Sequence, residues 1–198
     1  LMQQDDVINL LDLQSPDVLL LIADGVSASP AAASASHTVV NYLLQHWSGA
    51  GFSSRQLRQA QQYLADKLGS KRQSFGAATT IAALQLSAEH FVAINAGDSR
   101  IWRLRNGQLQ QLSEDHDWQN DSAELRQQTG LAQCYRALTS YLAADSEAAD
   151  FTVSVVDGAL QAVDHFVLTT DGVHDLVTVE ELAELFAVVD CATALQQL

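Results

Sequence analysis

Three short apolar runs separated by brief polar turns occupy the middle of the chain, and this pattern limits its fold more than any other feature. Ala78 to Leu86 and Phe91 to Ala96 flank a four-residue polar segment that has the length of a hairpin loop. The third run, Ser99 to Leu104, precedes Asn106-Gly107, the strongest two-residue hairpin signal in the sequence. The pattern therefore predicts an antiparallel meander that ends with Gln108 to Leu112.

Helical periodicity appears on both sides of this region. Apolar residues recur at helical spacing from Ala31 to Trp47 and again from about Ser54 to Leu68, where Gly69 is a good C-terminal cap. Thr178 to Glu181 has the sequence of a capping box and predicts the start of a last helix. The other predicted elements are strands at 18–23, 151–156 and 165–170 and a short helix near 122–128. A length of 198 residues suits one domain with a full hydrophobic core.

The charge balance excludes several classes of partner. Ten basic residues against 24 acidic ones give a net charge of −14, which repels duplex DNA and anionic membranes. The longest apolar run, Val18 to Ala23, is far shorter than the roughly 20 residues that cross a bilayer. Cys134 and Cys191 lack the spacing of a disulfide framework or a zinc site. We therefore expect a cytoplasmic protein that binds neither nucleic acid nor membrane.

Two apolar runs end in the same dipeptide, Asp-Gly, at Asp24-Gly25 and at Asp171-Gly172. A carboxylate at a strand tip is held rigidly, and the following glycine lets backbone or solvent approach, as a site for a hard cation requires. A third carboxylate, Asp98, follows another apolar run. Each copy taken alone is equally well interpreted as an ordinary turn, and Asp98 as a turn or a partner of Arg100.

The order of these segments resembles one family. The runs LLLIADGVS, FGAATTIAAL, AINAGDSRIWRLRNGQLQQLSEDHDW and FVLTTDGVHDLV are similar, in order and spacing, to the metal-dependent protein phosphatases of the PP2C (PPM) type, especially their compact bacterial members. The resemblance covers nearly the whole chain. It implies an α+β fold, a β-sandwich of two antiparallel sheets flanked by helices, with a metal centre at one end. It also implies one phosphatase domain over residues 1–198.

By motif matching, the resemblance implies specific metal ligands. Asp24 is expected to bridge two Mn²⁺ or Mg²⁺ ions, and the backbone carbonyl of Gly25 to bind one of them. Asp171 is expected to hold the other ion. A third, weaker ion is expected between Asp98 and Asp171. On this assignment Asp24 and Asp171 are the catalytic residues, since they hold the ions that activate the attacking water.

The two ends of the chain depart from the family pattern. Gln3-Gln4-Asp5 matches the N-terminal acidic motif, so Asp5 is expected to act on the metal through water, with Asp6 as the alternative register. The arginine that usually precedes this motif and the aspartate that closes the family's last strand are both missing from the sequence. We therefore expect a fragment that is truncated at both ends. Val26 stands where some members carry a general-acid histidine.

The implied activity is hydrolysis of phosphoserine and phosphothreonine in proteins by metal-activated water. The expected partners are phosphorylated proteins and an antagonistic Ser/Thr kinase in bacterial signalling. No GxSxG, P-loop or Cys-x5-Arg motif supports another phosphatase chemistry. Two alternatives stay open, an inactive regulatory module and a metal-binding scaffold that docks a kinase. Gln119 to Ala149 takes the place of the family's variable flap, where Arg126 and Arg136 are expected in a solvated loop.

Overall fold

The computed structural model describes residues 5–10, 17–49, 51–117, 138–145 and 151–188, and for 5–10 and 187–188 the backbone alone. Three antiparallel sheets and four helices make up this part of the chain. The first sheet has the order β1-β2-β4-β5-β9, with β1 Asp5–Leu10, β2 Val18–Asp24, β4 Ile81–Leu86, β5 His90–Ala96 and β9 Ser154–Ala159. The second has the order β10-β6-β7, with β6 Arg100–Arg105, β7 Gln108–Gln111 and β10 His165–Thr169. A short ribbon pairs β3, Ala78–Thr79, with β8, Leu142–Ala143.

Four helices accompany the strands. Helices α1 (Ala32–His46) and α2 (Ser54–Leu68) are adjacent in sequence and contact each other. Helix α3 (Asp171–His174) is a single turn, and α4 (Val179–Val188) follows it. At the start of α4 the Glu181 carboxylate accepts hydrogen bonds from the Thr178 N–H and hydroxyl, while the Glu181 N–H donates to that hydroxyl. The predicted capping box is therefore present.

Three hydrophobic clusters show how the layers pack. One lies between α1, α2 and the first sheet, the second between the two large sheets, and the third between the second sheet and α4. The described residues thus form a helix–sheet–sheet–helix sandwich, which confirms the predicted α+β class. None of the helices in the described ranges is long and apolar enough to span a bilayer.

Strand β2 shows why its sequence is apolar without interruption. Leu19 and Leu21 point to the helix side of the first sheet, whereas Leu20 and Ile22 pack in the cluster between the sheets. Alternate side chains of a strand lie on opposite faces, so a strand covered on both sides needs apolar residues at every position.

The predicted meander is wrong in its pairing. Strands β4 and β5 pair in the first sheet, but β6 and β7 belong to the second, and β6 pairs with β10. The chain crosses from one sheet to the other in the turn that contains Asp98. The Asn106-Gly107 hairpin is confirmed, since both residues have positive φ, 52° and 77°.

Other element boundaries also differ from the predictions. The run from Ala78 to Leu86 is divided at Thr80 into β3 and β4, and the strand expected at 151–156 lies at 154–159. That strand continues through Gly158, where a Cβ atom would lie 3.0 Å from the Phe91 ring. The glycine therefore serves close packing and is not a turn signal. Strand β1 and helix α3 were not predicted, and the helix expected near 122–128 lies outside the described residues.

Candidate metal centre

The three predicted metal-binding aspartates each follow a strand. Asp24 is the last residue of β2, and Asp98 lies in the turn between β5 and β6. Asp171 is the first residue of α3 and comes two residues after β10 ends. The first sheet therefore supplies Asp24, the second supplies Asp171, and Asp98 lies where the chain passes between the sheets.

Asp98 and Asp171 are close enough to interact electrostatically. The pKa of the Asp98 carboxyl is raised from 3.8 to about 6, mainly by burial and next by the charge of Asp171, with smaller contributions from Asp115 and Asp117. A backbone hydrogen bond opposes the rise. A half-buried carboxylate near other carboxylates is unfavourable until a cation binds. These donors fit a hard divalent ion.

The backbone of Asp24 is held at both its polar groups. Its N–H donates to Thr80 Oγ1 at 3.1 Å, and its carbonyl accepts from the Thr80 N–H and from Thr79 Oγ1, each at 2.8 Å. Both threonines are buried. These hydrogen bonds fix the backbone at the end of the strand, and a metal-binding carboxylate requires such a fixed position.

The same threonine contacts the turn that carries Asp98. Thr80 Oγ1 lies 2.7 Å from Ser99 Oγ in a buried hydrogen bond. A Cβ atom added at Gly97 would lie 2.7 Å from Thr80 Cβ, and Gly97 has a φ of 109° that other residues rarely adopt. Gly97 is thus required here both by close approach and by backbone conformation. Asp98 and Ser99 come directly after this tightly packed glycine in the chain.

Gly25 is packed as closely as Gly97. It forms an isolated antiparallel bridge with Thr79, and a Cβ atom at position 25 would lie 2.7 Å from the backbone of Ala32. The Asp24-Gly25 turn is therefore enclosed between the start of α1 and β3. Any larger residue at position 25 would displace this turn.

The strand register distinguishes the two candidates at the N-terminus. Asp5 is directly opposite Asp24 in the β1–β2 ladder, whereas Asp6 is opposite Ala23. Residues opposite each other in an antiparallel pair belong to the same face of the sheet, and their neighbours to the other face. The register therefore favours Asp5 over Asp6 as the residue on the Asp24 face.

His116 also forms a hydrogen bond with the turn that contains Asp98. Its Nδ1 accepts a hydrogen bond from the Gly97 N–H at 3.1 Å, and its Nε2 lies 2.9 Å from Ser154 Oγ. The imidazole is buried and, because Nδ1 accepts, it is neutral with its proton on Nε2. These contacts give His116 a structural role in holding the turn that contains Asp98.

Arg100 pairs with Asp115 and not with Asp98. Its Nε and Nη2 atoms donate to the Asp115 carboxylate at 2.6 to 3.1 Å, in a bidentate arrangement to which Gln111 adds a bond of 2.7 Å. The alternative interpretation of Asp98 as the partner of Arg100 is therefore wrong.

Within the described ranges no group of three or more His, Cys, Asp or Glu residues is placed to hold a metal ion. The structure brings Asp98 and Asp171 together, and it links Asp24 to the Asp98 turn through Thr80. The side chain of Asp5 lies outside what the structure describes, as do Arg126, Arg136 and most of the flap segment. Thr79, Thr80 and Ser99 were missed from sequence, because hydroxyl residues at a strand end are usually interpreted as solvent-exposed.

Comparison with known proteins gives a consistent result. The family model described as Protein phosphatase 2C matches residues 1–197. A sequence from Streptococcus pyogenes serotype M6, provisionally named protein phosphatase 2C-type, is 22% identical over 193 residues, which are 91% of this chain and 77% of the relative.

Solved structures share the fold. The serine/threonine phosphatase Stp1 from Staphylococcus aureus superposes with a TM-score of 0.82 at 19% identity, over 98% of this chain and 81% of that one. The catalytic domain of the serine threonine protein phosphatase PstP, in complex with two manganese ions, gives a TM-score of 0.73 at 20% identity, over 98% and 87% of the two chains.

Proposed function

The chain belongs to the protein phosphatase 2C family, and on that premise we propose that Asp24, Asp98 and Asp171 hold the divalent ions of a metal-dependent serine/threonine phosphatase. The observation that carries this assignment is the electrostatic interaction of Asp98 with Asp171, whose negative charge raises the pKa of the Asp98 carboxyl. The inactive-module and scaffold alternatives have no observation in their favour.

The roles proposed for the individual residues are those that motif matching to the family assigns. Asp24 and the neighbouring Gly25 carbonyl would hold ions of the centre. Asp171 would hold a second ion, and Asp98 together with Asp171 a weaker third one. Asp5, opposite Asp24 in the ladder, would act through water. When bound, the ions lower the pKa of water and neutralise charge on the phosphoryl group.

The protein would supply three fixed carboxylates from its two large sheets, those of Asp24, Asp98 and Asp171, here called the acidic rim. Asp24 is fixed through its backbone, Asp98 by the packing of Gly97 and its bond to His116, and Asp171 by its place at the end of β10. These contacts hold the carboxylates in place before the ions bind, so little ordering is needed on binding. We propose Mn²⁺ or Mg²⁺ as the ions, since carboxylate and carbonyl oxygens suit both.

The partners are proposed more broadly. Phosphorylated Ser/Thr proteins are the substrates that the family membership indicates. An antagonistic Ser/Thr kinase is the natural source of these substrates, because a phosphatase needs a continuing supply of phosphoryl groups to remove. The location in the cytoplasm stays a prediction from composition.

Hydrolysis of a phosphoserine peptide with added Mn²⁺ tests the assignment. Asp24→Asn should reduce activity to background because the bridging charge is lost, while circular dichroism shows an unchanged fold. Asp157→Asn, at an exposed position of β9, is the matched control and should keep full activity. Equal activity of Asp24→Asn and the parent would contradict the role of Asp24.

A further inference from the structure

We propose that Thr80 is a positioning residue that couples the two metal-binding turns, Asp24-Gly25 and Gly97-Asp98-Ser99. The inference rests on the proposed metal centre. It extends that centre to an uncharged side chain at the break between β3 and β4. Its hydroxyl forms hydrogen bonds with both turns, one with the Asp24 N–H and one with the Ser99 hydroxyl.

The link replaces a regular bond of the β-ladder. Strands β2 and β4 pair in register up to Ile22 and Ala82, and two residues further Asp24 faces Thr80. In a regular hydrogen-bonded antiparallel pair, the residues exchange two N–H to carbonyl bonds. Here the Thr80 N–H donates to the Asp24 carbonyl, but the Asp24 N–H donates to Thr80 Oγ1 instead of the Thr80 carbonyl. The side chain has taken the place of the backbone acceptor.

The second bond of the hydroxyl reaches the neighbouring turn. Thr80 Oγ1 and Ser99 Oγ are 2.7 Å apart, and the two residues are only 2% and 1% exposed. The methyl side of Thr80 packs on Gly97, where no Cβ atom fits. One side chain therefore fixes the Asp24 backbone by a hydrogen bond and the Asp98 turn by a hydrogen bond and by contact. The separation of the two turns is set by these atoms.

Loss of the hydroxyl should change metal binding for a definite reason. Thr80→Val keeps the shape of the side chain but leaves the Asp24 N–H and the Ser99 hydroxyl without their buried partner. The turns are then free to shift relative to each other, and the carboxylates no longer meet the ions in one geometry. Residues that orient metal ligands typically change metal affinity roughly 10- to 100-fold when they are altered.

Calorimetric titration of the full chain with Mn²⁺ alone tests the inference, at a temperature where circular dichroism shows every variant folded. Thr80→Val should bind Mn²⁺ at least about tenfold more weakly than the parent. Thr80→Ser, which keeps the hydroxyl, should restore most of the affinity. Ser74→Ala removes another buried hydroxyl bond, to the Leu68 carbonyl at the end of α2, and should leave Mn²⁺ affinity unchanged.

The outcomes separate this inference from the metal centre on which it rests. Parental affinity in a folded Thr80→Val would overturn the positioning role and leave the metal centre standing, whereas absence of Mn²⁺ binding by the parent would overturn both. Equal losses in Thr80→Val and Ser74→Ala would show that affinity follows general stability, which also overturns the inference. If Thr80→Val does not fold, Ser99→Ala decides: weaker binding supports the coupling, and unchanged binding overturns it.

Discussion

Replacing Asp98 with asparagine should stabilise the metal-free protein at neutral pH. The folded state raises the pKa of this carboxyl from 3.8 to about 6, so it binds the proton more tightly than the unfolded chain does. Its contribution to the free energy of unfolding is therefore most favourable at low pH. That contribution is lost as the pH rises from about 4 to about 6, and it stays lost above this range.

The magnitude follows from the shift. A rise from 3.8 to about 6 is worth about 3 kcal/mol, since each pKa unit corresponds to about 1.4 kcal/mol. Solvent reaches part of the Asp98 side chain, so we expect Asp98→Asn to gain about 1 to 3 kcal/mol over the parent between pH 4 and pH 7. Saturating Mn²⁺ should reverse the order, because the parent alone keeps all its ligands.

Urea unfolding with chelator at a series of pH values measures this difference. Glu89→Gln removes one negative charge from the exposed turn between β4 and β5, and it should change stability by less than about 0.5 kcal/mol at every pH. A difference between Asp98→Asn and the parent that does not vary between pH 4 and pH 7 would refute the reasoning. So would an Asp98→Asn variant that stays the more stable one in Mn²⁺.

Three further outcomes are expected. In a thermal scan, Mn²⁺ should raise the melting temperature of the parent and chelator should lower it. A variant carrying both Asp24→Asn and Asp171→Asn should lose this response. An unchanged response would show that the aspartates lie in separate turns and do not share a metal site. Gly97→Ala should lower the free energy of unfolding by about 1 to 3 kcal/mol, because φ is positive and Thr80 fills the space, and a neutral result in chemical denaturation would contradict that packing. His116→Ala should weaken Mn²⁺ binding in calorimetry more than a surface His90→Ala control does, since His116 accepts the hydrogen bond of the Gly97 N–H.

Local signals predicted much of the fold. The apolar run before Asp24 can be recognised as a strand without knowledge of the strands that pair with it. The conformational preferences of Asn106 and Gly107 are enough to predict the turn between β6 and β7. The capping box at Thr178 likewise depends on four consecutive residues. Each of these features is decided by neighbours in sequence, and the structure confirms each of them.

Features decided by distant partners were not predicted. Whether β6 pairs with β5 or with β10 depends on residues more than sixty positions away in the chain. The break at Thr80 depends on Asp24, which is 56 residues distant. The aspartates at the strand ends could be identified as candidates, but nothing local shows that a threonine hydroxyl joins their turns. Sequence therefore indicated the charged residues of the site and missed the neutral ones that hold them.

The two large sheets share one hydrophobic layer, and the proposed ligands are divided between them. Asp24 belongs to the first sheet and Asp171 follows the second, so the packing of residues such as Ile22, Leu84, Ile101 and Phe166 sets the distance between these proposed ligands. A substitution that changes side-chain volume in that layer would alter the distance between the Asp24 and Asp171 carboxylates without contacting either of them. In a complete substitution scan scored by turnover, this buried layer should therefore stand out beside the acidic rim, as if it were part of the active site.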